Sequence, residues 1–149
     1  MARDGAEVAP GDTLAERTFV ITQEKMNRYS RFALDGRDTA NIHTDGEKAR
    51  LAGLPGPVAH GRHIASFFSE AMLAQFGEPW LRSGQLDVTL TKLVLPGDTL
   101  TLRSTVVGVT PEESGQRVEV EMVLVNQKAE TVQSSRASLV RPGRRPEGA

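Results

Sequence analysis

Residues 60–76, HGRHIASFFSEAMLAQF, carry Ile64, Ala65, Phe67, Phe68, Ala71, Met72 and Ala74 around most of a helical circumference. A helix with so little polar face is expected to be buried on nearly all sides, so the rest of the chain must supply its cover. After Gly77 the pattern changes to strands. LDVTLTKLVL, TLTLRSTVVGV, RVEVEMVLVN and TVQSSRASLV are rich in β-branched residues and are separated by PGD, PEESG and QKAE. In the third, Val118, Val120, Met122 and Leu124 alternate with Glu119, Glu121 and Val123, the period of a half-exposed antiparallel strand. A sheet with one apolar face also needs a partner layer. The pattern therefore predicts an α+β fold, a four-strand antiparallel meander wrapped around the helix from His60.

Upstream, ERTFVIT at 16–22 reads as a short strand. Thr22 is a good N-cap for a helix through QEKMNRYSRFAL, with Met26, Tyr29, Phe32 and Ala33 on one apolar face. DGRDTANIH is too rich in turn formers to remain helical. A short helix is expected over DGEKARLAG, with Thr44 and Glu47 spaced as a capping box and Asp45 as a rival cap. Gly53 ends it, and LPGPV forces extended backbone. The chain divides into an N-terminal extension (1–12), a single domain (13–140) and a tail (141–149) whose lack of apolar residues predicts disorder.

The 149 residues are enough to bury a real core. Lys and Arg number 18 against 19 Asp and Glu, so no nucleic-acid surface or polybasic membrane patch is expected. The absence of cysteine excludes disulfides, thiolate nucleophiles and zinc–cysteine sites. The first residues lack the apolar core of a signal peptide and no apolar run approaches a spanning length, so a cytoplasmic location is expected.

All three histidines fall in two short strings, DTANIHTD (38–45) and HGRH (60–63). Asp38 and His43 can share a water or a substrate proton. Imidazole titrates near neutrality and a nearby carboxylate orients it, which suits general acid–base work. The same residue types also make turns and caps without any chemistry. Gly61, at the start of the apolar helix, could let a ligand oxygen approach unpaired backbone N–H groups at the positive end of the helix dipole. It could equally serve only close packing. His43, His60 and His63 do not suggest a metal site, because HGRH holds no carboxylate and no HExxH-type motif is present.

DTANIHTDGEKARLAGLPGPVAHG resembles the hydratase motif of the MaoC-like family of hot-dog proteins, which includes R-specific enoyl-CoA hydratases. The matching positions are Asp38, His43, Asp45, Ala49, Gly53, then Ala59, His60 and Gly61. LTKLVLPGDTLTLRSTVVGV and NQKAETVQSSRASLV resemble later parts of the family pattern, so the likeness covers about residues 13 to 140. It implies a curved antiparallel sheet around a central helix, and a homodimer or dimer of dimers. It also implies addition of water to a 2-enoyl thioester to give the (R)-3-hydroxyacyl product, or the reverse. Asp38 and His43 would position the water and move its protons, and Gly61 N–H would hold the thioester oxygen. No metal or redox cofactor is implied; coenzyme A or acyl carrier protein arrives with the acyl substrate.

The chain departs from the family at three places. The usual Asn-Pro within the motif is replaced by Ala40-Asn41, and the Ser-Gly before the aspartate by Gly36-Arg37. Arg62 and His63 follow Gly61, where apolar or small residues are usual. Arg62 is accordingly a candidate substrate contact, as is His60, although His60 and His63 are expected first to shape the helix start. Arg62 could pair with Glu70 or Asp35 or face solvent, or it could clamp a polar end of the acyl group. Two other readings stay open. A hot-dog thioesterase resembles H-G-G with an acidic residue nine positions after the histidine; here those positions hold Arg62 and Ser69, with Glu70 adjacent. The other is a non-catalytic acyl-thioester-binding protein.

Overall fold

A computed structural model describes residues 7–37 and 39–143. The elements are β1 (Arg17–Val20), α1 (Gln23–Ala33), α2 (Gly46–Leu51), α3 (Gly61–Phe76), α4 (Glu78–Ser83), β2 (Gln85–Leu90), β3 (Thr99–Glu112), β4 (Gly115–Val125) and β5 (Thr131–Pro142). The five strands form one antiparallel sheet in the order β1-β3-β4-β5-β2. The expected four-strand meander is thus corrected. Only β3, β4 and β5 follow one another in space, while β2 crosses the sheet to pair with β5. The expected strand over LDVTLTKLVL ends at Leu90, and residues 91–98 form the crossover.

Alternation determines the inner face. Leu100, Leu102 and Val106 of β3, Val118, Val120, Met122 and Leu124 of β4, and Ala137 and Leu139 of β5 are buried in one cluster with Ile64, Phe68, Ala71 and Met72 of α3. Full burial of side chains of this size stabilises by about 1.5–3 kcal/mol each before entropy is counted. The helix is covered on one side rather than nearly all round. Arg62, Ser66, Glu70, Leu73 and Ala74 are exposed, Leu73 at 41%.

Helix α1 begins as its sequence predicts, with Thr22 Oγ1 accepting from Lys25 N at 3.2 Å. It ends because Asp35 (φ 55°) and Gly36 (φ 77°) turn left-handed, and Gly36 N–H reaches back to the Arg31 carbonyl at 2.7 Å. Its buried residues are Met26 and Ser30; of the apolar face read from the sequence, Met26 is buried and Tyr29 half-buried, whereas Phe32 is 79% exposed and Ala33 is also exposed. Asp45, not Thr44, caps α2, accepting from Lys48 N at 2.9 Å. Helix α4 was not expected. It buries Trp80, whose Nε1–H donates to Ser69 Oγ at 2.9 Å.

The boundary segments join the sheet. Gly11 N–H donates to the Val106 carbonyl and Val106 N–H to the Asp12 carbonyl, both at 2.8 Å, and Thr13 bridges Thr105. At the other end β5 continues through Arg141 to Pro142, past the expected start of the tail. Residues 144–149 of that tail lie outside the described residues.

Candidate functional site

The loop from α1 to α2 is built on Asn41. Its side-chain oxygen accepts from His43 N–H at 2.8 Å, and its amide donates to the buried Ser30 hydroxyl and to the Thr39 carbonyl, each at 3.1 Å. Its own N–H donates to Thr44 Oγ1 at 3.1 Å, and its carbonyl accepts from Asp45 N–H at 2.8 Å. This is an Asx-type turn, in which a short amide side chain replaces backbone partners. It fixes the backbone of His43, whose carbonyl also accepts from Gln23 Nε2 at 2.9 Å.

The His43 ring is oriented as well. Its Nδ1 lies 2.7 Å from the Val58 carbonyl. A carbonyl only accepts, so Nδ1 carries the proton and the neutral ring presents Nε2 as a base. His43 and His60 line a cavity of about 580 Å³, with Arg37, Asn41 and Lys48 also on its wall. Asp38, the other expected acid–base group, lies outside the described residues.

The three histidines converge through their rings. His43 stacks on His60 at 3.5 Å between centroids, His60 meets Tyr29 at 5.2 Å, and Tyr29 stacks on His63 at 4.8 Å. Burial, then the neighbouring His43 and His63, lower the His60 pKa to about 4. His63 is also lowered, by burial and then by Lys25. Both rings are therefore neutral at pH 7. His60 Nε2 and His63 Nδ1 are buried without hydrogen-bond partners. Among the described residues, no group of three or more His, Asp or Glu side chains is arranged to hold a metal ion.

Gly61 is the first residue of α3, and His60 before it makes no side-chain capping bond. Gln133 Nε2 donates to the Gly61 carbonyl at 3.1 Å, tying the helix start to β5. A Cβ on residue 61 would stand 2.4 Å from Leu90 Cδ2, the end of an exposed side chain that can move aside, so packing alone is a weak reason for glycine there. Arg62 is exposed and pairs with no described residue. Glu70, one suggested partner, instead binds Arg17 at 2.9 Å. The sequence reading thus brought out His43 and His60 but missed Asn41, Val58, Tyr29 and Gln133. For Asn41 the available signal was an asparagine two residues before the histidine.

A MaoC like domain model matches residues 6–133. The chain belongs to the MaoC-like domain family. Solved structures similar to this MaoC-like chain share its hot-dog fold. The MaoC-like dehydratase from Rhodospirillum rubrum is 24% identical with a TM-score of 0.74, over 93% of this chain and 95% of the other. The unliganded R-hydratase PhaJ1 from Pseudomonas aeruginosa is 20% identical with a TM-score of 0.73, over 93% and 84%. The (R)-hydratase from A. caviae involved in PHA biosynthesis is 16% identical with a TM-score of 0.68, over 94% and 100%. No curated protein matches this MaoC-like chain. Its sheet is not closed, and among the described residues no helix is long and apolar enough to cross a membrane.

Proposed function

We propose that this MaoC-like protein hydrates a 2-enoyl thioester to the (R)-3-hydroxyacyl thioester, or catalyses the reverse, in the cytoplasm. The observation that carries the reading is His43, held by the Val58 carbonyl through Nδ1 so that Nε2 is free to act as a base beside the cavity. In the hydration direction, Asp38 and His43 position a water and take one of its protons as its oxygen bonds to C3. The C2–C3 π electrons move toward the thioester carbonyl, whose oxygen becomes an enolate stabilised by Gly61 N–H at the α3 N-terminus. A proton delivered to C2 by the same pair restores the thioester and completes the addition. No metal or redox cofactor takes part. Arg37 and Lys48 on the cavity wall suit a phosphate-bearing carrier, coenzyme A or acyl carrier protein.

The active form is proposed to be a homodimer. Strand β2 lies at the end of the sheet order and pairs with β5 on one side, and Leu90 at its end is 61% exposed. An open edge flanked by apolar side chains favours pairing with a second copy. Hydrolysis is less well supported, since Ser69 accepts from Trp80 and Glu70 binds Arg17.

Purified protein with crotonyl-CoA separates these activities. Hydration removes the enoyl absorbance and yields 3-hydroxybutyryl-CoA without free thiol. Release of free thiol would indicate hydrolysis. No turnover across short, medium and polar enoyl thioesters would indicate a non-catalytic binder.

A further inference from the structure

A second cavity, of about 520 Å³, opens between β1, α1 and the first turns of α3. The stacked rings of Phe19 and Phe67, 4.0 Å apart and 7° from parallel, form part of its wall. The parallel Tyr29 and His63 rings form another. Phe32 also lines it and is 79% exposed. Large apolar side chains around a concavity of this size are the usual composition of a small-molecule site. They lie near β1, at the opposite end of the sheet from β2.

The charged groups on the wall specify the ligand. Lys25 and Arg28 lie on the same wall, and no carboxylate does. Lys25 Nζ donates to the Val20 carbonyl at 2.8 Å, which holds its charge beside the apolar wall, while Arg28 pairs with Glu24 only across an exposed helix turn. His63 contributes its ring to the same wall, stacked on Tyr29, while its Nδ1 is itself buried.

We propose that this cleft binds an amphiphilic carboxylate, with its chain against Phe19, Phe67 and Phe32 and its anionic end at Lys25 and Arg28. The site is separate from the His43 cavity, and its test requires no turnover. Calorimetry on the full chain would compare decanoate with decyltrimethylammonium, both kept below micelle formation. Wild type should bind decanoate with a Kd below about 1 mM and the cation at least about tenfold more weakly. In Lys25→Glu/Arg28→Glu the order of the two probes should reverse. Glutamate at 25 stands three residues after the Thr22 cap and forms a capping box, so α1 is expected to survive. Phe32→Ser, at an exposed position, should weaken decanoate at least about threefold. Absence of decanoate binding to wild type, equal binding of the two probes, or decanoate binding unchanged in both folded variants would overturn the proposal.

Discussion

His60 sits where a charge is poorly tolerated. It stacks on His43, meets Tyr29 at a tilt of 54° and holds its Nε2 away from solvent. Its pKa falls from 6.5 to about 4, with burial the first cause and the His43 and His63 charges the next. The folded state therefore binds fewer protons here than the unfolded chain between those values. The stability contributed by neutral His60 is fully present above about pH 6.5 and is lost as the pH falls toward 4. His63, lowered by burial and Lys25, acts in the same direction. We expect thermal unfolding of the wild type to drop by about 5 °C or more from pH 7 to pH 5. His60→Gln should show a smaller drop over that interval, and an equal drop in a folded variant would remove His60 as the cause. Calorimetric scans of both proteins at the two pH values provide the check. At this scale the sequence identified His43 and His60, but Asn41 looked like any turn former. Its role depends on Ser30, eleven residues earlier on α1, which no local pattern connects to it.

Among the elements, α3 and β3–β5 were legible because their periods are long and regular. Helix α4 was not, because six residues with a proline near the start give no helical period to read. The β2–β5 pairing was also not legible, because alternation specifies which face is buried but not which strand lies alongside. The solvent-facing side of α3 was misread for a related reason. Apolar residues around a helix show what could be buried, whereas Leu73 remains exposed in the single chain. Two glycines test how tightly these elements fit. At Gly84 a Cβ would meet the Trp80 carbonyl oxygen at 2.4 Å and its ring at 2.5 Å, atoms fixed by α4 and the core. At Gly61 it would meet only the end of the Leu90 side chain. Gly84→Ala should therefore destabilise by about 1–3 kcal/mol, as overpacking does, and Gly61→Ala by less than about 1 kcal/mol. Urea unfolding of the two variants would measure this, and the reverse ranking would contradict the packing described for α4.

For the whole molecule, the α+β plan followed from hydrophobic periodicity and the family from several spaced motifs in one order. The edge order of the sheet did not, and it bears directly on assembly. With β2 at one end of the sheet, pairing of β2 with its copy would extend the sheet and cover Leu90. Light scattering should give twice the chain mass at micromolar concentration, and Leu90→Glu should shift it toward the monomer. A wild-type monomer would count against the assembly. The central claim is acid–base hydration by Asp38 and His43, and its most direct measurement is the steady-state rate with crotonyl-CoA for wild type, Asp38→Asn and His43→Ala. The account predicts wild-type loss of enoyl absorbance and a kcat at least about a hundredfold lower in each folded variant. Near-wild-type hydration by either variant would contradict it.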